Sequence, residues 1–145
     1  MTEAPISQQS VTRRERLQRR GLYAITDRSL CARQGFSDSV EAALRGGAVI
    51  VQYRDKSEDR RRRGAEANAV VDLCRRYGAL SIINDDINLA LESNADGVHL
   101  GGKDTTLTHA RSVLGTEVLI GISCYNSFAS GAAAAAAHAA ALAAP

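Results

Sequence analysis

The 145-residue sequence has little of several residue types, and its few cysteines exclude two kinds of protein. It contains no tryptophan, two prolines, four tyrosines and two phenylalanines. Its three cysteines, Cys31, Cys74 and Cys124, are odd in number and widely spaced, so they indicate neither a disulfide framework nor a zinc-binding pattern. We therefore expect a reducing, cytoplasmic compartment.

Signal-peptide features and a strong net charge are also missing. The first twenty residues are polar and rich in arginine, and outside the alanine-rich end no uncharged apolar run is long enough to cross a membrane. The formal net charge is +2 at pH 7, and the positive charge lies in local arginine clusters. We expect one modest soluble domain, without membrane or nucleic-acid partners.

Short apolar runs alternate with amphipathic stretches from residue 22 onward. The pattern predicts strands at residues 22–26, 48–53, 80–84, 97–100 and 118–123. It predicts helices at residues 37–45, 61–77, 87–93 and 105–114. Strict alternation of short strands with helices is typical of a parallel sheet covered by helices, so the predicted fold class is α/β.

The two ends of the chain do not follow this alternation. Residues 1–9 are interpreted as a disordered polar lead, and residues 11–20, VTRRERLQRR, as a charged helix whose main apolar contact is Leu17. Its arginines are more typical of a solvated face than of a binding arm. Residues 130–145, SGAAAAAAHAAALAAP, strongly favour helix. They fit a fifth helix of the alternation, a frayed end, or sequence altered by a reading-frame error.

Polar residues follow the predicted strands, at the edge where parallel sheets gather their ligands. The polar groups at successive strand ends are Thr26 and Asp27, then Gln52 to Lys56, then Asn84 and Asp85, then His99, and finally Ser123. Because all five sets are expected at the same edge, the sequence predicts one functional site there.

The segment VQYRDK places two cations on one side of a strand, which would make a poor core. Gln52, Arg54 and Lys56 alternate with period two. A forked guanidinium beside an ammonium suits a phosphate or diphosphate, because Arg binds it bidentately and Lys binds it as a point charge. The alternative is a structural ion pair with Asp55.

Two carboxylates are candidates for a Mg²⁺ site. Within IINDDINLAL, Asp86 is placed to cap the next helix, and that role leaves Asp85 unexplained. A hard oxygen ligand that faces a basic diphosphate site is what Mg²⁺ requires. Asp104, in HLGGKD, offers a second carboxylate, or alternatively another helix cap.

His99 and Ser123 end two later strands without forming a recognisable nucleophile and base. We favour a structural, hydrogen-bonded role for His99 near the rim over a catalytic one. Ser123 lacks a G-x-S-x-G elbow, so it is better interpreted as a ligand contact. We therefore predict no covalent catalytic residue.

Five segments within residues 21–126 together resemble the thiamine-phosphate synthase family, also called thiamine-phosphate pyrophosphorylase. They are GLYAITD, GGAVIVQYRDK, YGALSIINDDINLAL, ADGVHLGGKD and LIGISCYN. The resemblance implies a (β/α)₈ TIM barrel and a transferase of thiamine biosynthesis. Such an enzyme joins hydroxymethylpyrimidine diphosphate to thiazole phosphate, with Mg²⁺, and releases diphosphate and thiamine phosphate.

The same resemblance assigns roles to residues of this chain. Substrate binding falls to Gln52, Tyr53, Arg54, Asp55, Lys56, Asn84 and Ser123. Among these, Gln52, Arg54, Lys56 and Asn84 are implied to hold the pyrimidine diphosphate, and Ser123 to touch the pyrimidine. Metal binding falls to Asp85 and Asp104.

The sequence also departs from the family pattern. Only five βα units are legible, whereas a complete barrel has eight and needs about 250 residues. Gly102 and Lys103 stand where the family often has Gln followed by an acid. We therefore expect an incomplete barrel in a truncated or frame-shifted chain. Its parts are residues 1–20 as lead and charged helix, 21–126 as partial barrel, and 127–145 as alanine-rich tail.

Two alternative functions stay open. A thiazole tautomerase has the same barrel, but it does not need the diphosphate and magnesium pair implied by Arg54, Lys56, Asp85 and Asp104. A non-catalytic, phosphate-binding half-barrel would instead act by assembling with another subunit, for example by self-association. Small-molecule substrates are expected whether the chain is a thiamine-phosphate synthase or a thiazole tautomerase.

Overall fold

Five parallel strands form a single sheet in this protein. The structure is a computed structural model that describes residues 12–101 and 107–143. The strands are β1 (Leu22–Ile25), β2 (Ala48–Tyr53), β3 (Leu80–Asn84), β4 (Gly97–Leu100) and β5 (Leu119–Ile122), and they lie in the order β1-β2-β3-β4-β5. This confirms the predicted parallel sheet. Within the described residues, β1 and β5 each pair with one strand only, so the sheet is not closed.

Helices connect the strands and flank the sheet. They are α1 (Arg13–Leu17), α2 (Arg28–Cys31), α3 (Phe36–Arg45), α4 (Arg60–Tyr77), α5 (Ile87–Glu92), α6 (Leu107–Leu114) and α7 (Phe128–Ala143). The alanine-rich segment therefore continues the alternation as a helix after β5. The predicted polar lead at residues 1–9 lies outside the described residues. No helix in the described ranges combines the length and apolar character needed to cross a membrane.

The short helix α2 was not predicted from the sequence. The side chain of Asp27 caps it by accepting hydrogen bonds from the backbone N–H groups of Ser29 and Leu30, at 2.9 and 3.2 Å. With four residues, the helix is too short to show an apolar period. Asp27 is thus explained by a cap.

The two faces of the sheet are buried to different extents. On the helix-covered face, Val51 and Ile83 pack with Val70 of α4 in the main core, and all three are almost fully buried. On the other face, Ile50 and Ile82 belong to a smaller cluster with Leu80, because alternate strand residues point to opposite sides. At the β1 edge of the sheet, Tyr23 and Ile25 are about half exposed, at 47% and 56%.

The arginines of α1 correct the prediction of a solvated face. The carboxylate of Asp96, just before β4, accepts hydrogen bonds from Arg13 Nε at 3.1 Å and from Arg16 Nη2 at 2.9 Å. Arg16 also donates to the carbonyl oxygen of Ala79, just before β3. The prediction is therefore wrong for Arg13 and Arg16, which fix α1 at the amino edge of the sheet. Leu17 is half exposed, at 49%.

Candidate functional site

A cavity of about 600 Å³ lies at the carboxyl edge of the sheet. Every strand contributes to its lining, either directly or through the loop that follows it. Seven of the residues that the sequence singled out line this cavity: Gln52, Arg54, Lys56, Asn84, Asp85, His99 and Ser123. The chain therefore brings together cations, amides, a carboxylate and a hydroxyl at one place.

The two cations lie in the loop that follows β2, because the strand ends at Tyr53. Arg54 and Lys56 are exposed, and in the described part of the chain neither side chain makes a hydrogen bond or ion pair. The alternative of an ion pair between these cations and Asp55 is not formed, since Asp55 contacts Arg62 instead, at 2.6 Å. Both charges are therefore open to the cavity.

Gln52 lies below these cations on β2 and is 4% exposed. Its side-chain amide donates to the hydroxyl of Tyr23 on β1, at 2.9 Å. Burial raises the pKa of Tyr23, and the Gln52 hydrogen bond opposes that shift. The Tyr23 hydroxyl therefore stays protonated at neutral pH. Its hydrogen bond with Gln52 links a phenol and an amide in the cavity wall.

Tyr53 and Asp55 do not line the cavity, although the family resemblance suggested a substrate role for both. The Tyr53 hydroxyl donates to Glu66 on α4 at 2.9 Å, and its ring packs edge-on against Phe36. Burial and the nearby Glu66 carboxylate raise the pKa of Tyr53. Asp55 is turned toward Arg62, also on α4. Strand alternation explains the direction of Tyr53, which has the opposite parity from Gln52, whereas Asp55 lies in the loop after β2 and is held by Arg62.

Asp85 is held in a backbone conformation that residues other than glycine rarely adopt. Its φ angle is 62°, and its N–H donates to the carbonyl oxygen of His99 at 2.8 Å. Its carboxylate accepts hydrogen bonds from Asn84 Nδ2 at 2.7 Å and from the Gly101 N–H at 3.2 Å. A left-handed backbone costs about 1–3 kcal/mol and is common at functional sites. The carboxylate is thus fixed in place at the cavity.

The neighbouring carboxylate, Asp86, has a different role. It accepts a hydrogen bond from the Leu89 N–H at 2.9 Å, which confirms the predicted helix cap, and it contacts Arg63 at 2.7 Å. Asp104 lies outside the described residues, as do Gly102 and Lys103. Among the described residues, Asp85 is the one carboxylate that lines the cavity, and no group of three or more possible metal ligands is formed.

His99 and Ser123 form a polar pair across β4 and the end of β5. Nε2 of His99 and Oγ of Ser123 are 2.9 Å apart. Gly121 makes room for the ring, since a Cβ atom there would lie 2.8 Å from His99 Nδ1. The prediction that His99 is hydrogen-bonded near the rim is confirmed. Both side chains border the cavity.

Sequence reasoning missed four residues of the cavity wall: Tyr23, Ile25, Gly101 and Tyr125. Tyr23 and Ile25 lie two residues apart in the predicted strand 22–26, and in the structure Ile25 pairs in register with Gln52. Period-two alternation therefore places both on the cavity side of β1. Tyr125 follows β5 with a φ angle of 51°, and nothing in the sequence pattern signals that turn.

Comparisons with known proteins agree on one family. The family model of thiamine monophosphate synthase matches residues 22–144. A curated thiamine-phosphate synthase of Nitrosococcus oceani is 52% identical over 110 residues, which cover 76% of this chain and 51% of that protein. A second, from Thioalkalivibrio sulfidiphilus, is 51% identical over 106 residues, covering 73% of this chain and 50% of that protein. The chain therefore spans about half the length of these curated relatives.

A solved structure supports the same grouping. The thiamine phosphate pyrophosphorylase of Pyrococcus furiosus superimposes with a TM-score of 0.73 at 34% sequence identity. The match covers 81% of this chain and 55% of that chain. The open five-stranded sheet thus corresponds to part of a larger fold.

Proposed function

The chain belongs to the thiamine monophosphate synthase family, and from this premise we propose that its cavity binds hydroxymethylpyrimidine diphosphate for the synthesis of thiamine phosphate. The observation that carries the proposal is the pair Arg54 and Lys56, whose charges are open to a cavity that Asp85 also lines. Two cations and a fixed carboxylate that line one cavity suit a diphosphate that is bound together with a divalent cation.

The cations and the carboxylate have separate roles in this proposal. Arg54 grips the diphosphate through its forked donors, and Lys56 adds a point charge. Asp85 is the proposed Mg²⁺ ligand among the described residues, with Asp104 as the second ligand that the family resemblance implies. A single carboxylate fits Mg²⁺, because the ion usually takes one or two carboxylates and completes its shell with phosphate oxygens and water. When bound, Mg²⁺ neutralises charge on the departing diphosphate.

The remaining polar residues are assigned to the pyrimidine diphosphate, with Ser123 at its pyrimidine. Gln52 and Asn84 present amides to the cavity, and Ser123 presents a hydroxyl held by His99. In the proposed reaction, the bond between the pyrimidine methylene carbon and the diphosphate oxygen breaks. The thiazole nitrogen then bonds to that carbon. The protein orients both partners and neutralises charge, without a covalent intermediate.

This division of roles favours a synthase over a thiazole tautomerase, since a tautomerase does not need a diphosphate-binding pair beside a carboxylate. It also assigns residues 21–126 to the pyrimidine-diphosphate half of the site. Because the sheet is open within the described residues, we expect the 145-residue chain alone to bind diphosphate without forming thiamine phosphate. A cytoplasmic location is proposed as well, supported by three cysteines that are free thiols.

A chimera tests the proposal. Residues 21–126 replace the corresponding segment of the Nitrosococcus oceani relative, and thiamine phosphate formation is measured with both substrates and Mg²⁺. We expect product from the chimera. Because both diphosphate contacts are lost, we expect about a hundredfold lower rate when Arg54 and Lys56 are both replaced by Met. A folded chimera that makes no product, or equal rates with and without the two cations, would contradict the proposal.

A further inference from the structure

Lys56 lies in the middle of a side-chain-stabilised turn. The N–H of Ser57 donates to Oδ1 of Asp55 at 2.8 Å, which closes an Asx turn around the residue between them. Just before this turn, the N–H of Arg54 donates to the hydroxyl of Thr26 at 2.9 Å. The backbone of the cation loop, residues 54–57, is therefore fixed at both ends.

One side chain from α4 holds both ends of the Asx turn. Nη2 of Arg62 donates to Oδ2 of Asp55 and to Oγ of Ser57, each at 2.6 Å. The Asp55 side chain is 5% exposed, so this contact is shielded from water. Nη1 of Arg62 also approaches Asp59, which caps α4. The guanidinium thus joins the first turn of a helix to the loop that carries Lys56.

We propose that Arg62 is a positioning residue that acts through Asp55 and Ser57 to aim Lys56 into the cavity. The inference rests on the proposed function, because it concerns the cation that is assigned to the diphosphate. Arg62 itself does not line the cavity. Its effect on a bound anion is therefore expected to depend on Lys56.

The arginine run at the start of α4 offers a matched control. Residues 60–63 are all arginine, so the sequence pattern does not distinguish among them. Arg63 contacts Asp86, whereas Arg61 is exposed and makes no side-chain hydrogen bond or ion pair within the described ranges. Replacing Arg61 removes the same charge, one residue away, without touching the turn.

Asp55 provides a test in which two explanations predict opposite changes in diphosphate affinity. If Asp55 acts only as a negative charge beside two cations, then Asp55→Asn removes its repulsion of the diphosphate anion and tightens diphosphate binding. If Asp55 transmits the hold of Arg62, then Asp55→Asn loosens the turn and weakens binding. Glu58→Gln is the control, because Glu58 is an exposed carboxylate in the same segment.

The experiment is calorimetric titration of the full 145-residue chain with inorganic diphosphate in the presence of Mg²⁺. Misplacing a cation typically costs a binding site about tenfold to a hundredfold. We therefore expect Arg62→Met and Asp55→Asn each to weaken binding about tenfold, and Arg61→Met and Glu58→Gln to stay within about twofold. Thermal unfolding of each variant, followed by circular dichroism, gives the folded fraction used to correct the affinities.

The same titration in a Lys56→Met background separates positioning from a general structural effect. If Arg62 acts through Lys56, then Arg62→Met has less than about a twofold effect in that background. A general loss of structure would weaken binding equally in both backgrounds. We also expect Arg62→Lys to recover part of the affinity, because it keeps one donor to Asp55.

Failure of the inference is distinct from failure of the proposed function. Diphosphate binding that Lys56→Met weakens but Arg62→Met does not would overturn the positioning role alone. Tighter binding by Asp55→Asn would also overturn it, as would an equal effect of Arg62→Met in both backgrounds. If the unchanged chain does not bind diphosphate at all, both the proposed function and this inference are overturned.

Discussion

Two pairs of basic residues lie at opposite edges of the sheet and have opposite roles: Arg13 with Arg16, and Arg54 with Lys56. At the amino edge, Arg13 and Arg16 reach from α1 to the carboxylate of Asp96. At the carboxyl edge, Arg54 and Lys56 make no such internal contact among the described residues and border the cavity. Charge that is neutralised inside the protein stabilises the fold, whereas charge left open at the strand ends is available to a ligand.

Asp96 at the amino edge and Asp85 at the carboxyl edge differ in the same way. Asp96 is 8% exposed and also accepts hydrogen bonds from the N–H and hydroxyl of Ser81, at 3.0 and 3.1 Å. Asp85 accepts bonds from Asn84 and Gly101, and it pairs with no cation among the described residues. Variants of Arg13, Arg16 and Asp96 should therefore change stability, and variants of Arg54, Lys56 and Asp85 should change binding.

The largest expected effect is at Asp96. Asp96→Ala leaves two partly buried arginines and the Ser81 N–H without their acceptor; breaking a fully buried ion pair costs about 3–5 kcal/mol of unfolding free energy, so we expect a loss toward the lower end of that range. Urea denaturation measures this loss. Asp72→Ala is the control. Asp72 is exposed, and its ion pair with Arg75, at 3.7 Å, is also exposed, so we expect the unfolding free energy to change by no more than about 0.5 kcal/mol. Equal stabilities of the two variants would remove the distinction between the edges.

At the carboxyl edge, the largest effect is expected at Asp85. Asparagine also tolerates a left-handed backbone, so Asp85→Asn should preserve the local fold while removing the charge. We expect at least about a tenfold loss of Mg²⁺-dependent diphosphate binding, in line with the loss of a charged metal ligand. Titrations at several Mg²⁺ concentrations measure it. Unchanged metal dependence would remove Asp85 from the site.

Arg54 tests whether geometry matters beyond charge. Arg54→Lys keeps the positive charge but loses the bidentate fork, so diphosphate affinity should fall several-fold, while Arg61→Lys leaves it unchanged. The same calorimetric titration measures both variants. Equal affinity of the Arg54 variant and the unchanged chain would give Arg54 a purely electrostatic or structural role.

A separate effect is the pH dependence of the unfolding free energy that Asp55 contributes. Burial alone would raise the pKa of this carboxyl, but hydrogen bonds from Arg62 and Ser57 outweigh burial and lower it to about 2. A depressed pKa in the folded state means that the stabilisation is present above the unfolded pKa, about 4, and is lost as the pH falls toward 2.

We therefore expect the unfolding free energies of the unchanged chain and Asp55→Asn to differ at pH 7 and to converge between about pH 4 and pH 2. Urea denaturation at each pH measures the difference. A constant difference over this range would mean that the ionised carboxylate is not what stabilises the loop.

Strand positions could be predicted because they depend on local apolar patterns. Three of the five strands, β2, β3 and β4, have the predicted bounds, and β1 and β5 differ by one residue at the ends. Helix α4 begins one residue earlier than predicted, where Asp59 supplies its cap. The pairing of Arg13 and Arg16 with Asp96 could not be predicted, since it joins residues about 80 positions apart in the sequence.

The same contrast holds for the candidate site. Period-two alternation grouped Gln52, Arg54 and Lys56, and all three line the cavity. Tyr53 and Asp55 were assigned to the substrate by family resemblance, and alternation alone would have placed them on the helix side. The contacts of Arg62 could not be predicted from the sequence, because four neighbouring arginines differ only in their three-dimensional surroundings.

The proposed function requires the carboxyl edge of the sheet to bind a diphosphate together with Mg²⁺. Its most direct test is calorimetric titration of the 145-residue chain with inorganic diphosphate, with and without Mg²⁺, beside a variant in which Arg54 and Lys56 are both Met. We predict saturable binding at a single site, weaker without Mg²⁺ and at least about tenfold weaker in the variant. No binding by the unchanged chain, or equal binding by both proteins, would contradict the claim.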